Sequence, residues 1–225
     1  MSTPKGKQAV VAAIEVWVRR RLDARSETTH GWLHVDRVRR NILALACVEG
    51  VDPFLAELAA LLHDVGRTQP GPESEHGARS EALITPLLAE LPLAKEEREA
   101  IRFAVRWHNS GRTDTRLLCI LRDADMLDGL GAIGIMRAFM SRSHLPPYDP
   151  DAPFEMGDKR WPALYCSDQL DGQMAWYDWL NTETAHQMAN DRIALMRAFV
   201  AQARNEIGIG QASPPTGAES WEMDR

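Results

Sequence analysis

Apolar residues recur along this chain at helical spacing, and the alternation expected of strands is almost absent. Val10, Ile14 and Trp17 fall at i, i+4 and i+7. Val35, Val38, Ile42 and Leu45 fall at i, i+3, i+7 and i+10, so each set makes one stripe on a helix. Residues 53–65, PFLAELAALLHDV, are apolar nearly all round, which predicts a central helix buried on most sides. Asp52 fits its N-cap, Pro53 its first turn, and Gly66 its close. A loop over 67–77, rich in Pro and Gly, leads to helices over about 78–91 and 94–108. Pro86 is expected to kink or restart the first, and Glu96, Glu97 and Glu99 suit the dipole at the start of the second. Helices over about 114–127 and 130–142 follow, separated by Gly129 and Gly131. The proline-rich segment 143–162 breaks the pattern. Its Tyr148, Phe154 and Trp161 form either a wall that stacks on a base or a plain connector. Two helices, about 168–180 and 182–207, close the chain before a tail, 210–225, of disordered composition. The elements predict an all-α protein: a helix within 1–27 packed on a core spanning 28–142, with 143–209 completing the same domain.

Composition narrows the function. Of 225 residues, 26 are Lys or Arg and 32 are Asp or Glu, a net charge of −6. That balance argues against nucleic acid or an anionic membrane as partner, while a small anionic substrate needs only a local basic pocket. No run of about 18 apolar residues exists to span a membrane. Three separated cysteines, Cys47, Cys119 and Cys166, sit among helix-like apolar residues and read as buried thiols in a reducing cytoplasm.

The ionisable residues that matter lie in the apolar stripes. His34 shares a face with Val38 and Leu45, and His63 lies beside Leu55, Ala59 and Leu62 with Asp64 next to it. His108 shares a face with Ile101, Ala104 and Val105, and Asp125 with Leu118 and Leu121. Each alone could be a satisfied core or capping residue. Buried carboxylates are costly unless paired or metal-bound, so two aspartates and three histidines turned inward from four helices point to one shared polar centre. Imidazole and carboxylate together suit Mn, Fe, Co, Ni or Zn, with Mg also compatible. Adjacent ligands at 63 and 64 project about 100° apart on a helix, which places such a centre at that helix's C-terminal end.

The segments HVDRV, AALLHDVG, RWHN and RDADMLDGLGAIG resemble those of the HD-domain metal-dependent phosphohydrolases, and within them a bacterial subgroup of compact, stand-alone enzymes. The resemblance covers roughly residues 28–142. It implies a divalent metal held by His34, His63, Asp64 and Asp125; Asp125 rather than Asp123 follows the alanine of the Ala-Asp pair, leaving Asp123 and Asp128 to support or cap. It further implies a catalytic group of His108, His76 and Asp64, in which the histidines contact phosphate or donate a proton to the leaving oxygen. No His-His pair follows His76, so the resemblance does not extend to a fixed two-metal centre. Arg67, Arg79 and Lys159 are the cations placed to meet a phosphate, or else solvated side chains; His30, His144 and His186 read as surface or capping residues. The implied activity is hydrolysis of a phosphoester or phosphoanhydride bond in a nucleotide or another small phosphorylated metabolite. A two-iron oxygenase on the same fold and a non-catalytic metal or nucleotide sensor are the alternatives. The amphipathic closing helices would suit a homodimer interface.

Overall fold

The computed structural model of the chain describes residues 4–22, 29–154 and 163–208. Among these the secondary structure is helical throughout: α1 (Pro4–Leu22), α2 (Trp32–Glu49), α3 (Pro53–Leu62), α4 (His76–Ala89), α5 (Lys95–Trp107), α6 (Arg116–Asp128), α7 (Gly131–Ser141), α8 (Cys166–Met174) and α9 (Glu183–Glu206). The described residues include no helix long and apolar enough to cross a membrane. Lys159, Trp161 and the tail beyond 208 lie outside the described residues.

Helix α3 organises the interior. Asp52 caps it by accepting from the Phe54 N–H at 2.8 Å, and Pro53 occupies the first turn, where its missing N–H is not needed. Its small residues Ala56, Ala59 and Ala60 join one apolar cluster, built with α2, α6 and α9. Its large residues Phe54, Leu58, Leu61 and Leu62 join a second, built with α1, α4 and α5. The helix therefore forms a wall between two cores. Arg39 on α2 ties the layers together through Glu15 on α1 and Glu57 on α3.

Several expectations need correction. The helix predicted to run to Val65 ends at Leu62; His63 and Asp64 follow in a turn, and Val65–Thr68 form a short 3₁₀ helix. Helix α4 begins at His76, earlier than the loop composition suggested, and runs through Pro86 without a break. Cys47 is exposed, whereas Cys119 and Cys166 are buried. Phe154 is core rather than wall: it is buried, with Tyr148 and Phe199 packed around it.

Gly66 does not close a helix; it permits a close approach. A Cβ there would lie 2.3 Å from the His76 carbonyl oxygen and 2.3 Å from the Ser80 nitrogen. Its own N–H donates to Ser80 Oγ, which in turn donates to the His63 carbonyl, so α4 is clamped onto the turn that carries His63 and Asp64. Gly66→Ala should cost roughly 1–3 kcal/mol through overpacking against backbone that has no rotamer to change. Urea unfolding would check this, and a change below about 0.5 kcal/mol, as for ordinary surface substitutions, would refute the clamp.

Candidate metal centre

Four helices and one turn deliver six side chains to a single point. His34 comes from the first turn of α2, His63 and Asp64 from the turn after α3, His76 from the start of α4, His108 from the end of α5 and Asp125 from α6. All but Asp125, which is partly exposed, are buried. One ligand atom from each of His34, His63 and Asp125 lies within 4.8 Å of the others, and the same holds for His63, Asp64 and His108.

The imidazoles are aimed by their outer nitrogens. Nδ1 of His63, His76 and His108 each lies 2.7 Å from a carbonyl oxygen, of Ala60, Glu73 and Val105 respectively, and Nδ1 of His34 lies 2.7 Å from Asp128 Oδ2. Donation from Nδ1 leaves each Nε2 with a lone pair directed inward. These lone pairs crowd one another: His34 Nε2 lies 3.3 Å from His63 Nε2, and His76 Nε2 lies 2.9 Å from His108 Nε2. Burial pushes His63 and His76 down to about 4, so both are neutral bases at pH 7.

Asp64 stands between the two pairs. Its Oδ2 is 3.4 Å from His34 Nε2 and 3.6 Å from His63 Nε2, while its Oδ1 is 3.3 Å from His76 Nε2 and 3.6 Å from His108 Nε2. Neither oxygen has a hydrogen-bond donor in good geometry among the described residues, although Arg67 Nε lies 2.8 Å from Oδ2. Burial opposes the charge on Asp64, but His63 and Arg67 outweigh it and hold the carboxyl well below the usual range. A buried carboxylate paired with one arginine and facing four inward lone pairs is a site shaped for a cation. The donor set fits a divalent metal.

Around this centre Asp128 gathers cations. It accepts from Arg37 Nη2 at 3.0 Å and from Arg137 Nη1 at 2.7 Å, besides contacting His34, and these groups, working against its burial, hold its carboxyl far below the ordinary value. Asp123 serves elsewhere. It accepts from the Asn181 and Thr182 N–H groups at 2.7 and 3.0 Å and so secures the start of α9.

The centre opens into a cleft with two compartments. One, of about 660 Å³, is lined by His76, His108, Arg122, Asp125 and Trp179 among others. The other, of about 590 Å³, is lined by Arg142, Gln169 and Gln173. His30, Arg67, Arg137 and Trp176 line both. Four arginines thus supply the local basic pocket in an acidic chain. The Trp176 ring is seated on Gly129, where a Cβ would lie 2.2 Å from Cζ3.

Of the residues singled out in the sequence, the structure brings together His34, His63, Asp64, His76, His108 and Asp125, with Arg67 beside them. Arg79 is not with them. Its Nε donates to the Gly66 carbonyl and its Nη1 to the Pro72 carbonyl, so it braces the loop instead of facing the cleft. His30 also departs from expectation: it lines both compartments, and burial pushes it down to about 3 against the pull of Asp64. Arg137, Arg122 and Trp176 went unseen in the sequence, because each looks like an ordinary residue on an amphipathic helix or its flank.

The chain is similar to known proteins along most of its length. Residues 32–130 match the family model of the HD domain. Over 204 residues the chain is 28% identical to YpgQ of Bacillus subtilis (strain 168), an uncharacterized protein, covering 86% of this chain and 92% of that one. It is similar to the crystal structure of an HD-superfamily hydrolase from Bacillus thuringiensis, with 28% identity, a TM-score of 0.69, and 89% and 97% of the two chains covered. The crystal structure of Bacillus subtilis YpgQ in complex with ADP shares the fold at 24% identity, with a TM-score of 0.70 over 92% and 100% of the chains.

Proposed function

We propose that the protein is a metal-dependent phosphohydrolase acting on a nucleotide or similar small phosphate, a reading supported by the match of residues 32–130 to the HD-domain model and by the likeness to an HD-superfamily hydrolase. The observation that carries this reading is Asp64, a buried carboxylate whose two oxygens face two pairs of inward imidazole nitrogens. His34, His63, Asp64 and Asp125 would hold a divalent transition metal. A second ion would fit between Asp64 Oδ1, His76 and His108. Those two histidines would then present Nε2 to a cation, with their Nδ1–H groups donating to carbonyls; without a second ion the same Nε2 atoms would face the phosphate or its leaving oxygen. A bound ion of this kind lowers the pKa of water and polarises a phosphoryl oxygen.

The chain supplies the rest. Arg67 and Arg137 line both compartments next to the centre, where they would orient phosphate oxygens and offset developing charge. Trp176, on the wall common to both compartments, offers a flat apolar face to a base. A nucleotide agrees with the ADP held by the Bacillus subtilis relative.

The test is phosphorus NMR of pooled nucleotides and sugar phosphates with Mn²⁺, comparing wild type and Asp125→Ala. Release by the wild type alone supports the reading and identifies the bond cut. Equal release by both proteins would overturn the ligand assignment. The same cluster of histidines would serve a two-iron oxygenase; oxygen uptake with Fe²⁺, without phosphate release, would decide for that chemistry.

A further inference from the structure

We infer that the compartment lined by Gln169, Gln173 and Trp176 is the base-reading half of the cleft, and that Gln173 recognises a nucleobase carrying an exocyclic amino group. This deepens the nucleotide reading above and rests on it. Asp125, His76 and His108 line the other compartment, which is therefore the reacting side. Arg67 and Arg137 stand on the wall common to both. A phosphate chain held at that wall, with its reacting end toward Asp64, His76 and His108, would direct its nucleoside away from them into the compartment of about 590 Å³.

That space is built for a polar, flat ligand. Gln169 and Gln173 are one helical turn apart on α8, and Trp176 follows at the next turn in the short 3₁₀ helix Ala175–Trp179, so all three face the cleft together. Gln173 is only 4% exposed, yet among the described residues its Oε1 has no hydrogen-bond partner. Buried amide oxygens are seldom left unpaired, because desolvation is not repaid without a donor. An amino group on a base supplies the donor, and the adjoining amide N–H can reach a ring nitrogen, as glutamine does with adenine. Trp176 gives the base a ring on which to stack.

Titration calorimetry on the full chain can test this with adenosine 5′-(α,β-methylene)diphosphate and with methylenediphosphonate, which has no nucleoside. Wild type should bind the nucleotide analogue about tenfold more tightly or better. Gln173→Leu should lose most of that advantage and keep its Kd for methylenediphosphonate, while melting no lower than wild type, since leucine leaves no oxygen unpaired. The wild type gives a second reading without any variant: the purine riboside analogue, which lacks the amino group, should bind about fivefold or more weakly than the adenosine one. Equal binding of the nucleotide analogue and methylenediphosphonate by wild type would overturn the inference. So would an unchanged nucleotide Kd in Gln173→Leu, or equal binding of the two purines. Absence of turnover in the phosphorus NMR experiment would sink the hydrolase reading and leave these binding ratios standing, so the two failures are separable.

Discussion

Asp64→Asn should fold, fail to gain stability from Mn²⁺, and turn over at least roughly 1,000-fold more slowly than wild type, a loss of about 4 kcal/mol in transition-state stabilisation. The amide keeps the size of the side chain but halves its acceptor capacity. It cannot offer one anionic oxygen to the His34 and His63 side and another to the His76 and His108 side, as Asp64 does. Thermal melting separates this from simple damage. With an ion at 100 times its Kd, wild type should gain about 2.7 kcal/mol, which for a chain of this size is roughly 5–11 °C. The variant should gain almost nothing. A full thermal gain in Asp64→Asn would show that the ion binds elsewhere.

Asp128 reaches the centre only through His34, yet its replacement is expected to have the second-largest effect. It holds the Nδ1 side of His34 and pairs with two arginines while being 2% exposed. Asp128→Asn retains an oxygen for His34 but loses the charge that fixes its tautomer, so metal affinity should fall about 10- to 100-fold with a smaller loss of stability. Asp128→Ala also strands Arg137 and Arg37, which are 12% and 30% exposed on their side chains. Because solvent reaches both, the cost should fall below the roughly 3–5 kcal/mol of a fully buried pair, at about 2–4 kcal/mol. Metal titration followed by urea unfolding of both variants would check this. If Asn matched wild type in metal affinity, Asp128 would have only a packing role.

The all-α architecture is legible because apolar stripes at helical spacing survive in nearly every segment, and α3 is marked by Asp52, Pro53 and its apolar run. The inward histidines at 34, 63 and 108 are legible for the same reason: each falls in a stripe whose other members are buried. His76 is harder. Its neighbours are Pro, Gly, Ser and Glu, and composition cannot show that a 3₁₀ turn over Glu73–Glu75 folds it back to begin a helix against Gly66. The end of α3 at Leu62 is equally hidden, since no proline or glycine stands there; Ser80, bridging from α4, shapes the turn. The cleft walls at Arg137, Trp176 and Gln173 depend on how α7 and α8 meet the rest. A contact between distant segments leaves no mark in local periodicity.

The wall formed by α3 has a consequence for the life of the protein. Two apolar interiors on opposite sides of one helix should open as separate partial unfolding units. The candidate ligands come from both sides: Asp125 from a helix of the first interior, His76 and His108 from the ends of helices of the second, and Asp64 from the turn that follows the dividing helix. An ion gripped by all of them would staple the halves together and merge two openings into one. Metal supply would then govern turnover of the protein by proteases as well as turnover by the protein of its substrate.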